Sequence, residues 1–262
     1  MRSLLLRGQQ FLHQTPFSAF SAFDPDAQAY ITAVETADAQ VLEPAVKTAI
    51  NNFVVGCKAD GIWDAIKASA ILAGARTLTG ALVPLKGIAP TNFNFVSGDY
   101  DRKTGLVGNG TTKYLNTNRA NNADPQDDKH LSVYQSSLST RTSVLIGSDS
   151  VSGRSALISF VSGGISARIN AQFQASTIGN GTGFVGGSRS SSSTSVGRVN
   201  ATNFSQSIDS QSPSSLEIGV FATGSGATVA NNRIAFYSIG ESLDLALLDA
   251  RVTTLINAYG AI

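Results

Sequence analysis

The chain has 262 residues, of which 42% are hydrophobic and only 14% are charged. That apolar fraction is enough for a sizeable core, but the charged fraction is well below the ~25% usual for soluble globular chains. Nineteen basic and eighteen acidic side chains leave a net charge of +1, which argues against a general nucleic-acid partner. The single cysteine, Cys57, excludes an intrachain disulfide framework. No apolar run approaches the ~20 residues that span a bilayer, so we expect no membrane insertion.

The first 23 residues form an apolar segment without a clean period. Arg7 interrupts the leucines near the start, so we expect no signal peptide, whose core needs about 7–15 apolar residues. Large exposed apolar groups on such a segment favour a partner that covers them. The sequence therefore predicts a docking arm over residues 1–23, and an arm folded back on its own domain is the alternative. The arm's large apolar side chains are Leu4, Leu5, Leu6, Phe11, Leu12, Phe17, Phe20 and Phe23.

Three helical patterns follow the arm and predict a helical subdomain over residues 24–84. Asp24-Pro25 and Glu43-Pro44 are start signals, because each places an acid before a proline at the first helical position. Apolar residues then recur at three-to-four spacing, as on one face of a helix. Cys57 belongs to the second of these stripes, which favours burial over reactivity. The stripes are Ala27, Tyr30, Ile31, Val34 and Ala37; Val46, Ile50, Phe53, Val54 and Cys57; and Ile62, Trp63, Ile66, Ala70 and Ile71.

Past Pro90 the pattern changes to short apolar runs separated by Gly, Ser, Thr and Asn. This is typical of many short antiparallel strands and predicts a β-sandwich or jelly roll over residues 85–262. A closing helix with a cap at Ser242 has Leu245, Leu248, Val252 and Leu255 on its apolar face. The predicted strands are residues 92–96, 112–115, 130–135, 143–146, 156–161, 166–171, 216–222 and 233–239.

The stretch from residue 150 to residue 240 has seven charged side chains and no lysine. Its surface must therefore consist largely of hydroxyl and amide groups, which suit stacked subunits or sugar contacts better than charge-driven binding. The Ser-rich patch at residues 188–195 is predicted to be a loop or an edge connection, because strand-like sequence continues on both sides.

Two glycine-rich segments resemble nucleotide-binding motifs only in part. Residues 181–186 spell G-x-G-x-x-G, but poor helix formers follow, whereas the dinucleotide fingerprint needs a helix N-terminus there. Residues 108–113 lack the G-K-[ST] ending of a phosphate loop and precede a strand-like run. We interpret the first as a glycine-rich loop and the second as a hairpin turn, and we expect no cofactor at either.

Catalytic and metal-binding patterns are sparse in this chain. His13 and His130 are the two histidines, and neither has metal-ligand spacing. Acid pairs matter because glycan hydrolases use two carboxylates that face each other across a cleft. Asp99 and Asp101 flank Tyr100, and Asp124, Asp127 and Asp128 lie beside Pro125, so both groups are interpreted as turn residues that could also offer oxygens to calcium. Aromatic residues that could stack on sugars are Tyr100, Tyr114, Tyr134 and Phe184.

Several motifs together resemble a leader and sandwich found in bacteriophage virion proteins. The leader motif is Gly61-Ile62-Trp63-Asp64-Ala65-Ile66-Lys67-Ala68, and the resemblance continues to the closing helix. It implies a short helical bundle before a mainly β, concanavalin A-like (laminin G-like) jelly-roll sandwich. The segments that carry the resemblance are residues 24–30, 61–68, 90–95, 105–115, 130–134 and 233–240.

The resemblance implies a non-enzymatic structural protein on the surface of a phage particle, at a tail fibre or baseplate. The arm would bind other virion proteins, and the sandwich would contact host-surface glycan or neighbouring subunits, with self-association as a homotrimer. A capsid decoration or head-fibre protein is the alternative in the same class, and a glycan-cleaving enzyme on the same fold is the alternative in another. The candidate glycan contacts are Tyr100, Asp101, Asp127 and Asp128.

Overall fold

The computed structural model describes residues 23–149, 152–172 and 177–261. The arm residues Leu4, Leu5, Leu6, Phe11, Leu12, Phe17 and Phe20 lie outside the described residues. Phe23, the last arm residue, is half-buried and packs against the apolar core of the helices. None of the described helices is long and apolar enough to cross a membrane.

Two N-terminal helices begin where their prolines predict. Helix α1 is Pro25–Asp38, and the Asp24 carboxylate accepts a hydrogen bond from Asp26 N, as an N-cap does. Helix α2 is Pro44–Ala59, and the Glu43 side chain makes no capping bond there. Two further helices are the short α3, Leu78–Ala81, and the closing α4, Leu245–Gly260. The cap of α4 is Asp244 rather than the expected Ser242.

The prediction of a third helix over residues 62–71 is wrong, because Ile66–Ile71 form strand β1. All but one of the six residues are buried, since helices cover one face of the sheet and the second sheet covers the other. A strand buried on both faces reads as a continuous apolar run, and such a run also satisfies a helical stripe. The range 24–84 thus contributes strands to the sandwich as well as helices.

The described strands form two antiparallel sheets. The larger sheet has the order β14-β13-β12-β7-β16-β1-β2, with β5 paired to β16 and β4 to β5, and the smaller has the order β11-β10-β9-β8-β15-β6-β3. After β1, the strands are β2 Pro84–Lys86, β3 Thr91–Phe93, β4 Tyr100–Asp101, β5 Gly105–Val107, β6 Tyr114–Ala120, β7 Lys129–Ser137, β8 Ser143–Ser148, β9 Arg154–Ser159, β10 Gly164–Ala171, β11 Ile178–Gly179, β12 Gly183–Arg189, β13 Thr194–Val199, β14 Thr202–Ser207, β15 Glu217–Val220 and β16 Arg233–Gly240.

The predicted mainly β fold, a sandwich of two antiparallel sheets with N-terminal helices and a closing helix, is confirmed. Each of the eight predicted strands overlaps an observed one. The interpretation of residues 181–186 as a loop is wrong in part, because β12 starts at Gly183 and pairs with β7 and β13.

The molecule has three layers, because helices cover the outer face of the larger sheet. On β16, Phe236 faces the helices and meets the Phe53 ring edge-on at 5.7 Å, whereas Tyr237 faces the second sheet. Successive strand residues point to opposite faces, so one strand serves both cores. Helices α2 and α4 pack on each other and cover this face, and Cys57 lies buried among them.

The sandwich has two ends with different loops. Strand β7 begins at Lys129 and ends at Ser137, and its pairing with β16 joins His130 to Gly240 and Ser137 to Arg233. We call the end near Ser137 the open end; its loops include residues 108–113, 138–142 and 221–232. The end near Lys129 is the closed end; its loops are residues 121–128, 190–193, 208–216 and 241–244.

Candidate functional site

Tyr100 and Asp101, two of the candidate glycan contacts, form hydrogen bonds with neighbouring residues of this chain. The Tyr100 hydroxyl donates to Ala75 O at 2.8 Å, and burial raises the pKa of this phenol far above its usual value. The Asp101 carboxylate is exposed but accepts from Lys103 N, Thr104 N and the Thr104 hydroxyl in a local turn. Hydrogen bonds from the Thr104 hydroxyl and these amides lower the pKa of Asp101.

The other two candidates, Asp127 and Asp128, lie at the closed end, in the loop before β7. Asp128 Oδ1 accepts from Ser242 N at 2.6 Å, and Asp127 is half-buried. Strand β4, which contains Tyr100 and Asp101, pairs with β5. Strand β5 pairs with the start of β16 at Arg233, which lies towards the open end. The structure therefore does not bring the four residues into one site, and glycan contact at either pair stays a prediction.

A buried charge cluster occupies the closed end. We use this name for Arg119, Asp124 and Lys129, where the Asp124 carboxylate binds both the Arg119 guanidinium and Lys129 Nζ, the latter at 3.0 Å. Lys129 is fully buried, and burial lowers the pKa of its ammonium group. Burial opposes ionisation of Asp124, yet the two cations outweigh it and hold the pKa of this carboxyl below its usual value.

No group of three or more His, Cys, Asp or Glu residues that could hold a metal occurs among residues 23–149, 152–172 and 177–261. Four of the five carboxylates considered for calcium have other partners: Asp99 binds Lys113, Asp124 binds two cations, and Asp101 and Asp128 accept from backbone amides. The fifth, Asp127, has a buried Oδ1 with no hydrogen-bond partner among the described residues. Calcium binding stays a prediction without a located site.

His130 is a structural histidine. It is fully buried, with Nδ1 2.6 Å from Glu241 O and Nε2 2.9 Å from Ser238 Oγ. A carbonyl only accepts, so Nδ1 carries the proton and Nε2 accepts from the Ser238 hydroxyl. Burial lowers the pKa of His130 to about 4, which keeps the ring neutral near pH 7.

The open end carries a polar hollow of about 280 Å³. We call it the end-loop hollow; three separate loops contribute its walls, and Arg141 is the charged residue among the described ones that line it. Threonine hydroxyls and backbone groups make up most of the remaining surface. The lining residues are Gly110, Thr111, Arg141, Thr142, Gly226, Thr228 and Val229.

The first wall of the hollow is shaped by Asn109. Its Oδ1 accepts from Thr111 N, Thr112 N and Lys113 N at 2.9–3.0 Å, which folds the segment into a compact turn. The predicted hairpin is wrong here, because the turn connects β5 in the larger sheet to β6 in the smaller sheet. A connection between sheets must cross the end of the sandwich, and this crossing places Gly110 and Thr111 in the hollow.

The wall formed by the loop of residues 221–232 contains a strained residue. Thr228 has a φ of 56°, in the left-handed region that β-branched residues rarely adopt, and its carbonyl accepts from Val144 N at 3.0 Å. Such a conformation costs on the order of 1–3 kcal/mol and persists only where surrounding contacts enforce it. The loop thus presents Thr228 in a fixed orientation.

An aromatic pair lies next to the hollow. The rings of Phe93 and Tyr114 stack in parallel with centroids 4.4 Å apart, and Phe93 is 37% exposed. Gly226 joins the pair to the hollow, because a Cβ at Gly226 would lie 2.7 Å from Tyr114 Cε1. The open end therefore combines hydroxyl groups, one guanidinium and an accessible aromatic ring, which are groups that can bind a sugar.

The other aromatic residues considered from the sequence are less accessible. Phe184 is buried and packs under the helices, and Tyr100 and Tyr134 are half-buried. Sequence reasoning did not find Phe93, Arg141 or Thr228. Phe93 lies within a predicted strand, and strand aromatics mostly face the core; the hollow depends on three loops meeting, which no local pattern indicates.

No protein-family model matches the chain, and no curated protein sequence matches it. Similarity was found to solved structures. A mutant of Trypanosoma rangeli sialidase displaying trans-sialidase activity is 11% identical with a TM-score of 0.48, covering 81% of this chain and 39% of that one. The botulinum neurotoxin serotype D binding domain is 14% identical with a TM-score of 0.49, covering 73% of this chain and 51% of that one.

A third similar structure is domain 4 of a GH43 extracellular arabinanase from Geobacillus stearothermophilus in complex with arabinotriose. It is 12% identical with a TM-score of 0.35, covering 63% of this chain and 82% of that domain. The chain spans about half or less of the first two proteins' own chains. At these values the likeness concerns sandwich architecture alone, and no residue role is transferred from it.

Proposed function

We propose that this protein binds carbohydrate at its open end without cleaving it. The observation that carries the proposal is the end-loop hollow, where Thr111, Thr142 and Thr228 line a cavity of about 280 Å³ next to the Tyr114 ring, on which the partly exposed Phe93 stacks. Sugars offer hydroxyl groups to polar side chains and an apolar face to aromatic rings.

The absence of catalysis is part of the proposal. Glycosidases generally use two carboxyl groups that flank the bond to be cleaved. The described residues that line the hollow include no carboxylate. Asp99, which lies near the same end, forms an ion pair with Lys113, and this neighbour and the amide of Val96 overcome burial and lower the pKa of Asp99. A salt-bridged carboxylate with a lowered pKa is a poor general acid at neutral pH.

We propose a phage particle surface, at a tail fibre or baseplate, as the setting of this binding. The resemblance of the leader and sandwich motifs to virion proteins supports it, together with the apolar residues of the arm. The arm would bind other virion proteins, and three chains would associate. A capsid decoration or head-fibre protein is the second candidate, because the same arm and sandwich would serve there.

Glycan binding is tested with a panel of host-surface oligosaccharides and Phe93→Ala. We expect at least one oligosaccharide to bind the natural chain and to lose tenfold or more in affinity in the variant, about 1.4 kcal/mol. Leu216→Ala is the matched control, because Leu216 is 48% exposed and precedes β15 at the closed end. Equal losses in both variants, or no binding by the natural chain, would contradict the proposal.

The enzymatic alternative is tested with the same oligosaccharides. We expect no reducing sugar to be released on prolonged incubation. Release that disappears when Asp99, Asp101, Asp127 and Asp128 are changed to Asn would establish a glycan-cleaving enzyme instead.

The anchoring role of the arm is tested by deleting residues 1–22. This deletion leaves Phe23 in place, because that side chain packs against the helices. We expect a folded protein that still binds glycan but no longer joins the particle. Assembly of the truncated chain into particles would refute the anchoring role.

A further inference from the structure

The end-loop hollow contains an arginine that differs from the other arginines of the described residues. Arg141 is exposed, whereas every other described arginine is buried or half-buried. Arg76, Arg102, Arg119, Arg198 and Arg251 each form an ion pair with a carboxylate. No described carboxylate forms an ion pair with Arg141; Arg154, Arg189 and Arg233 also lack one, but these are half-buried or buried, so Arg141 is the arginine of the described residues that is both exposed and unpaired by a carboxylate.

The Arg141 guanidinium is nevertheless held in place. Its Nη1 donates to Gly110 O, and its own backbone is tied into the loop by hydrogen bonds to the Ser139 hydroxyl. Ser139 and Thr140 N are in turn bound to Asn231 Oδ1 of the neighbouring loop, at 2.8 Å and 3.0 Å. Nη1 therefore ties the guanidinium to the wall of the hollow, and no described residue accepts a hydrogen bond from its Nε or Nη2, which leaves these N–H groups to a ligand.

A pre-positioned guanidinium without an acidic partner is suited to an anionic oxygen group. Its planar fork matches the two oxygens of a carboxylate or a phosphate, and such charge-assisted bonds are about twice as strong as neutral ones. The described lining residues of the hollow carry no negative charge that would oppose such a group. The Thr111 and Thr228 hydroxyls make no hydrogen bond with a described residue and can meet the uncharged parts of the same ligand, whereas the Thr142 oxygen accepts from Val161 N and has only its proton left to donate.

We propose that the end-loop hollow binds an acidic glycan, whose carboxylate or phosphate group is held by Arg141 while a neighbouring sugar ring lies on Phe93. This inference rests on the proposed function and specifies its ligand class. Gly226 supports the arrangement, because it joins the hollow to the Tyr114 ring on which Phe93 stacks. The Arg141 charge contributes affinity for the acidic residue, and Phe93 contributes affinity for any sugar of suitable shape.

The test uses oligosaccharides in matched pairs that differ only in charge. Oligogalacturonate and its methyl ester form one pair, and a phosphorylated mannose oligosaccharide and its unphosphorylated form make the other; the two pairs distinguish the carboxylate from the phosphate. Affinities are measured by titration calorimetry at about 0.05 M and about 0.5 M salt, because the higher salt concentration screens exposed charges. We expect at least one charged member to bind tenfold or more tighter than its neutral form, with the preference falling at high salt.

The variants are Arg141→Gln, which removes the charge, and Arg141→Lys, which keeps a point charge but not the fork. We expect Arg141→Gln to abolish the preference for the charged member and Arg141→Lys to retain part of it. Lys103→Gln is the matched control, because Lys103 is exposed and its Nζ lies 3.4 Å from Gly260 O at the end of α4. This control should leave the preference unchanged.

The outcomes separate this inference from the proposed function. If neutral and charged members bind equally and only Phe93→Ala weakens them, glycan binding stands and the acidic ligand is refuted. If Arg141→Gln leaves the preference unchanged, or Lys103→Gln removes as much of it, the role of Arg141 is refuted. If no oligosaccharide binds at all, the proposed function and this inference both fail.

Discussion

The two ends of the sandwich use charged and polar residues in opposite ways. At the closed end, the buried charge cluster places Lys129 and Asp124 out of solvent and pairs them with each other and with Arg119. At the open end, Arg141 is exposed and pairs with no described carboxylate. The strands β6 and β7 run from one end to the other, so the same two strands support both arrangements.

The two ends therefore differ in burial and pairing rather than in residue type, and on our proposal this difference separates charges that support the fold from a charge that binds a ligand. A buried pair stabilises the fold only as long as both partners remain, because either one alone would be an uncompensated charge. An exposed, oriented charge adds little to stability and remains available for a ligand. Substitutions at the closed end should therefore affect folding, and substitutions at the open end should affect binding.

The largest expected effect comes from Asp124→Asn. This change leaves the fully buried Lys129 ammonium without its carboxylate, so we expect a loss of about 3–5 kcal/mol in the free energy of unfolding. The measurement is urea denaturation at neutral pH. Asp101→Asn, the same chemical change at an exposed turn, should cost less than about 1 kcal/mol. Similar values for both variants would remove the distinction between the two kinds of charge.

A smaller loss of stability is expected when the pH is lowered. The pKa of His130 is about 4 in the folded protein, against 6.5 for a histidine in the unfolded chain, so the unfolded chain takes up a proton first as the pH falls. Stability contributed by the neutral ring is present above pH 6.5 and is lost progressively as the pH falls towards about 4. The loss should reach on the order of 2–3 kcal/mol.

His130→Asn isolates this contribution, because the amide can keep the donor to Glu241 O without titrating. Urea denaturation between about pH 7 and about pH 4.5 should show a smaller fall in stability for the variant than for the natural chain. Asp124 and Glu43 have lowered pKa values and lose their contributions at still lower pH, so they do not obscure the comparison. Parallel curves would contradict the assignment.

The smallest stability effect, but a specific one, is expected from Gly226→Ala. Both Gly226, at a φ of 81°, and Gly61, at 71°, strain an alanine by about 1 kcal/mol, and Gly61 has nothing within 4 Å of its added Cβ. Only Gly226→Ala also pushes the Tyr114 ring away from the hollow. Gly226→Ala should lose somewhat more stability than Gly61→Ala, because the Tyr114 ring must also shift, and only Gly226→Ala should weaken glycan binding. Equal glycan binding by the two variants would show that the position of the Tyr114 ring does not affect the hollow.

Local patterns predicted those helices that have clear start signals and those strands that are short apolar runs between turn residues. Proline and an acid mark the starts of α1 and α2, and short apolar runs mark strands such as β7 and β16. The strands β12 and β13 are not among the predicted strands, although strand-like sequence occurs on both sides of residues 188–195, because glycine and serine are frequent in them. Glycine is needed there for packing: a Cβ at Gly186 would lie 2.9 Å from Leu245 Cδ2, and one at Gly197 would meet the Phe204 ring.

The candidate site was less predictable than the fold. The sequence indicated a turn at residues 108–113, but not that it crosses between sheets or that it meets two other loops. The availability of Arg141 depends on which carboxylates reach it, and that follows from tertiary structure alone. The acids singled out from the sequence lie in local turns or in the buried charge cluster.

The most direct test of the account is to map glycan binding by backbone amide chemical shifts on the isotope-labelled chain. On titration with an oligosaccharide that binds, we predict shift changes concentrated at Gly110, Thr111, Thr142 and Gly226, with residues of the closed end such as Lys129 unchanged. Changes concentrated at the closed end or on the helices, with the open end silent, would contradict the claim that the end-loop hollow is the binding site.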